Sequence, residues 1–133
     1  MEPGDSPLIA ELGAELRLLL PIAMADGALH ARERTMLERY AAARARDAGF
    51  DCRDSELAAA LRWAQSNPPS PAQCAELAAA AVARRPDAIA VLWEMAQSLS
   101  EADGMVTGVE SVRLARLKLL LDQVAAANGL PHA

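Results

Sequence analysis

Asp26-Gly27-Ala28-Leu29-His30-Ala31-Arg32-Glu33 returns near the other end of the chain as Asp103-Gly104-Met105-Val106-Thr107-Gly108-Val109-Glu110. Each copy opens with Asp-Gly, carries an aliphatic residue two positions after the glycine, and ends in a Glu seven residues after the Asp. The offset is constant, since 103 − 26, 104 − 27 and 110 − 33 all equal 77. The flanks agree as well, with Ile22 opposite Leu99, Ala25 opposite Ala102 and Leu37 opposite Leu114. Each copy follows an apolar run of helical period and opens another. The stretch therefore reads as an acidic corner between two helices, used twice. That implies an all-α fold with an internal pseudo-repeat.

Helix signals continue outward from the two corners. Upstream, Ser6-Pro7 suits an N-cap followed by the first helical position, and helix one runs from about Leu8 to Ala25. Ile9, Leu12, Leu16, Leu19 and Ala23 follow the helical period, and Leu18, Leu20 and Ile22 widen the stripe, so this helix is expected at the centre. Pro21 removes a backbone donor inside it and predicts a kink or break. Helix two spans about Ala31 to Ala48, with Leu37, Tyr40, Ala41, Arg44 and Ala48 along one side and Gly49 as the residue after its cap. Helix three covers about Ser55 to Gln65, with Asp54 or Ser55 as cap and Leu57, Leu61 and Ala64 facing inward. Asn67-Pro68-Pro69-Ser70-Pro71 is a hard stop, after which Ser70 and Pro71 start helix four, which ends before Pro86. Helix five starts at Pro86-Asp87 and reaches Ala102, burying Ile89, Leu92, Trp93, Ala96 and Leu99. Helix six runs from about Gly108 to Ala127, with Leu114, Leu117, Leu121 and Val124 in one stripe and Val112, Leu119 and Leu120 beside it. Asn128-Gly129 and Pro131 end it.

Composition agrees. The chain of 133 residues is 53% hydrophobic but only 3% aromatic, which suits closely packed helices of small and aliphatic residues. Expected is a compact single-domain bundle of about six to seven helices: residues 1–7 a flexible leader, 8–127 the helical domain, 128–133 a tail. The net charge of −5 argues against nucleic acid as a partner, because neutralising phosphates needs a positive footprint. Twelve of the thirteen basic residues are Arg, and five of them (Arg32, Arg34, Arg39, Arg44, Arg46) fall on helix two, where a solvated face accounts for them. Cys52 and Cys74 lack a CxxC spacing and read as free thiols in a reducing compartment. The run Leu18–Ala25 is too short to span a bilayer and follows acidic rather than basic residues, so no transmembrane segment and a cytoplasmic setting are expected.

The corners have two chemical readings. Asp26, Gly27, Leu29 and Glu33 match positions 5, 6, 8 and 12 of a calcium-binding EF-hand loop, and Asp103, Gly104, Val106 and Glu110 match them again. Positions 1 and 3 would be Ile22 and Met24, or Leu99 and Glu101, so neither loop is a conventional EF-hand. Local structure is the plainer reading: Asp-Gly is a turn, and Thr107 with Glu110 forms a capping box. The repetition favours a shared task, in which Asp26, Glu33, Asp103 and Glu110 converge on one hard cation such as Ca²⁺ or Mg²⁺. His30 suits an exposed cap substitute better than a ligand, and Trp63 and Trp93 suit packing better than a cage.

The twice-used Ala-Asp-Gly, aliphatic and Glu pattern, in an all-helical chain, resembles the tellurite-resistance TerB family and the related helical domain of DnaJ-like co-chaperones. The resemblance covers about residues 8 to 127. It implies a bundle of about seven helices, an acidic site able to bind a metal ion, and a role in cytoplasmic stress response. It further implies protein partners in membrane-associated or chaperone-linked stress complexes. The expected function is thus a non-enzymatic module that binds a divalent cation or a protein partner through Asp26, Glu33, Asp103 and Glu110. The alternatives are a plain helical adaptor with structural acidic turns, or a carboxylate-based metal-dependent hydrolase. The last lacks the Glu-x-x-His pairs of di-metal bundles, and the sequence has no phosphate loop or nucleophile elbow.

Overall fold

In the computed structural model, residues 7–24, 27, 29–101 and 108–129 are described, apart from the side chain of Glu110. They form six helices: α1 Pro7–Ala23, α2 Ala31–Asp47, α3 Asp54–Ser66, α4 Pro71–Arg84, α5 Ala88–Glu101 and α6 Gly108–Ala127. No strand occurs among the described residues.

The sequence of α1 explains its place. Leu8, Ile9, Leu12, Leu16, Leu18, Leu19, Leu20, Ile22 and Ala23 are all buried, which leaves little of the helix facing water. A helix apolar around most of its circumference has to be surrounded, and α1 packs against each of the other five. Leu12, Leu16 and Leu19 are wholly inaccessible, so truncating any of them to Ala would cost about 2–5 kcal/mol. Each acidic corner joins two helices that pack on each other, α1 with α2 and α5 with α6.

Pro21 does not break α1. The helix runs through it to Ala23, and Met24 N still donates to Leu20 O at 2.8 Å. So close to the end, proline removes a single helical bond, and burial of Leu18, Leu19, Leu20 and Ile22 holds the turn in place.

The other ends follow local chemistry. Gly49, at φ +90°, closes α2: its N–H donates to Arg46 O at 3.0 Å and Phe50 N–H donates to Ala45 O at 2.8 Å. That is the Schellman pattern, with Phe50 folded back onto the core. Ser70 caps α4, accepting from Gln73 N at 3.2 Å while Ser70 N donates to Gln73 Oε1 at 2.9 Å. The cap of α3 is Arg53, not Asp54 or Ser55. Arg53 N donates to Glu56 Oε1 at 3.1 Å, so the carboxylate at the third helical position sets where the helix starts.

Gly13 has a packing role with no sequence signal. A Cβ there would meet Trp63 Cζ3 at 3.1 Å and Ile9 Cγ2 at 3.3 Å, so the missing side chain lets α3 press its indole onto α1. Trp63 is half-buried between that glycine and the guanidinium of Arg17, 5.9 Å from its ring centre.

Candidate functional site

Of the four acidic residues expected at the corners, only the Glu33 side chain is described; Asp26, Asp103 and the Glu110 side chain lie outside the described residues, as does Thr107. Glu33 occupies the third position of α2, and its Oε1 accepts from His30 N at 3.3 Å. His30 is the exposed N-cap residue. Glu33 is thus engaged in capping. Gly27, at φ +96°, adopts the left-handed conformation that an Asp-Gly corner needs. Ile22 is buried in the core and Met24 packs against it, so the front of the first loop turns inward. Among the described residues, no group of three or more His, Cys, Asp or Glu could hold a metal ion.

A second constellation was not read from the sequence. Glu15 is only 1% exposed, in the middle of α1. Arg44 of α2 reaches it with two bonds, Nε to Oε1 at 3.0 Å and Nη2 to Oε2 at 3.2 Å, and the Tyr40 hydroxyl donates to Oε1. Arg44 Nη1 also donates to both oxygens of Asp87, just before α5. Arg85 Nη2 donates to Arg44 O at 2.7 Å and, at 3.3 Å, to Glu11, which also accepts from Arg84 at 2.7 Å. The Arg-rich side of α2 is therefore solvated at Arg32, Arg34, Arg39 and Arg46, but Arg44 is a buried residue.

Burial pushes the Tyr40 hydroxyl well above its ordinary pKa, and the neighbouring Glu15 charge and hydrogen bond push it further. For Arg44, burial works against the cation, but bonding to Glu15 outweighs it and the guanidinium is held more firmly protonated than usual. The network opens on a 360 Å³ cleft lined by Glu11, Arg44, Asp47, Ala48, Arg84, Arg85 and Asp87. Each arginine there is already bonded to a carboxylate, so the cleft works as an ionic clamp tying α1, α2, α4 and α5 together.

The larger concavity is apolar. A 560 Å³ groove lies between the C-terminal half of α1 (Leu18, Pro21, Ile22), the start of α4 with its approach (Pro69, Pro71, Cys74), and α6 (Arg113, Arg116, Leu117, Leu119, Leu120, Gln123). Of the residues expected beside the buried stripe of α6, Leu120 packs against the core but Val112 and Leu119 do not, so α6 has two faces. Leu117, Leu121, Val124 and Ala125 enter the core, whereas Val109 and Val112 are 50% exposed and Leu119 is 60% exposed. Positions 109, 112, 116, 119 and 123 follow alternating steps of three and four, the spacing of a helix-packing seam. The seam residues are Val, Val, Arg, Leu and Gln, and Leu119 carries it into the groove.

The groove's charged lining is entirely basic, Arg113 and Arg116, in a chain with 18 acidic and 13 basic residues. Arg113 donates to Pro21 O and braces α6 against α1. Arg116 is exposed and pairs with no carboxylate among the described residues. Cys74 is a half-buried free thiol in the wall; burial raises its pKa, and nearby Arg17 pulls the other way. Neither a protein-family model, nor a curated protein, nor a solved structure matches the chain.

Proposed function

We propose that this chain is a non-catalytic helical binding module that seats an amphipathic helix of a partner protein in the α1/α4/α6 groove. The observation that carries this reading is the second seam of α6. An exposed Leu119 between exposed Val112 and a 560 Å³ apolar groove leaves a stripe of helix-packing residues with no described helix against it. A helix laid in a groove is a common way to cover such a stripe, with anchors three and four residues apart. The TerB-like resemblance fits this class and supplies the expected setting, a cytoplasmic stress complex with membrane-associated or chaperone-linked partners. No helix among the described residues is long and apolar enough to cross a membrane.

A second reading keeps the acidic corners as a site for Ca²⁺ or Mg²⁺. The observation favouring it is Gly27 at φ +96°, since an EF-hand-like loop turns sharply at its sixth position. Glu33, held in a cap, would have to exchange His30 N for the ion.

Amide shift mapping of the labelled chain with a panel of synthetic amphipathic helices tests the first reading. Shifts should cluster on Leu18, Cys74 and Leu119, and Leu119→Asp should remove them without lowering the unfolding midpoint. Shifts centred on Glu33 or the ionic cleft, with the groove silent, would refute it.

A further inference from the structure

Resting on the groove reading, we propose that the helix seated there is an acidic one, and that Arg116 selects it. The seam 109–112–116–119–123 has Arg116 at its midpoint. A second copy of this chain covering the seam through a two-fold contact would pair α6 with α6. Parallel or antiparallel, a two-fold pairing centred on the seam sets Arg116 against its own copy. Like charges facing across an apolar seam are unfavourable, and no described carboxylate of the seam or groove offsets them. Val109, Val112, Leu119 and Gln123 bring no negative charge either. Two-fold α6–α6 pairing is therefore disfavoured by the charged residue at the middle of the stripe.

The same residue favours a different occupant. A helix with apolar anchors at the three-four spacing and carboxylates flanking them would place those carboxylates beside Arg116, with Arg113 behind it on the groove wall. Arg116 makes no ion pair with a described residue, so it can engage without breaking one, whereas Arg113 already holds Pro21 O. Arginine suits this task because its planar fork donates two parallel bonds to a carboxylate. The net charge of −5 leaves few basic surfaces, and of the two concavities described the groove is the one whose charged lining is wholly basic.

The test uses the full chain and three fluorescein-labelled 21-residue helical probes with Leu at a and d positions. They carry Glu, Gln or Lys at the flanking e and g positions and are titrated by anisotropy. The Glu probe should bind at least tenfold tighter than the Lys probe, with the gap closing as salt rises from 50 to 500 mM. Arg116→Glu, an exposed substitution whose fold is checked by circular dichroism, should invert the order. Sedimentation should find the unliganded wild type monomeric. Equal affinity for all three probes, each lost with Leu119→Asp, would overturn the charge selection and keep the groove. No Leu119-dependent binding by any probe would overturn the groove reading itself. A wild-type dimer that survives Arg116→Glu would overturn the acidic partner in favour of a second copy.

Discussion

Replacing Arg44 by Met should destabilise the fold severely, because it strands a buried charge. Glu15 is 1% exposed, and Arg44 provides two of the three hydrogen bonds it accepts, with Tyr40 the third. Breaking a buried ion pair from one side costs about 3–5 kcal/mol, since the remaining carboxylate has neither water nor a counter-charge. Unfolding entropy of about 2.1 cal/mol/K per residue gives roughly 0.28 kcal/mol/K for this chain. The melting midpoint should therefore fall by about 11–18 °C. Removing the whole set is a different perturbation. Glu15→Met with Tyr40→Phe and Arg44→Met leaves no buried charge in the core, and the triple variant should lie within about 2 kcal/mol of wild type. Thermal and urea unfolding followed at 222 nm measure both variants. A single-variant loss under about 1 kcal/mol, or a triple-variant loss as large as the single one, would refute the argument that desolvation dominates this network.

The alkaline limb should report Tyr40, the only tyrosine. Its pKa is raised on folding, so its contribution is intact below about pH 10 and declines as pH rises past the unfolded value, by up to about 1.4 kcal/mol per pH unit. Tyrosinate absorbance at 295 nm should stay absent from the folded chain at pH 11 and appear on adding urea; its presence before unfolding would contradict the buried placement. Ser70→Ala should cost about 1 kcal/mol and Gln73→Ala somewhat less, read from urea midpoints, because each removes one bond of the α4 capping box. Ser100 is buried with no hydrogen-bond partner for its hydroxyl among the described residues, so Ser100→Ala should be neutral or stabilising by about 1 kcal/mol in the same assay. Millimolar Ca²⁺ or Mg²⁺ should raise the midpoint by about 10 °C at a hundredfold excess over Kd if the corners hold an ion, and Asp26→Asn with Asp103→Asn should abolish the rise. An identical midpoint in chelator would leave the corners as turn and cap chemistry.

The helices were legible because their signals are local. Proline runs such as Asn67–Pro71, glycine stops at Gly49 and Gly129, and apolar residues at the helical period act within a few positions, and α6 begins and ends where the sequence places it. The long-range partners were not legible. Glu15 lies on a helix turn already crowded with leucines, and its partners Tyr40 and Arg44 come from α2, 25 and 29 positions away. The available hint was a carboxylate inside an apolar stripe, beside an Arg assigned to the inward side of α2. Gly13 was silent for the same reason: what it accommodates is Trp63, on another helix. On α6 the apolar residues are too evenly spread for periodicity to separate the buried stripe from the exposed seam. Only the packing of α1, α4 and α5 against one side makes that distinction, and the proposed function rests on it.

A helix seated in the groove would cover Cys74, whose place in the wall makes it a built-in reporter. Alkylation of both thiols at pH 8.5, with and without saturating Leu/Glu probe, measures occupancy directly by mass spectrometry. Cys52 lies in the α2–α3 connection, is not part of the groove and serves as the internal control. Modification of Cys74 should be at least tenfold slower when the probe is bound, with an unchanged rate at Cys52. Probe bound by anisotropy with Cys74 reacting at its free rate would contradict the groove reading.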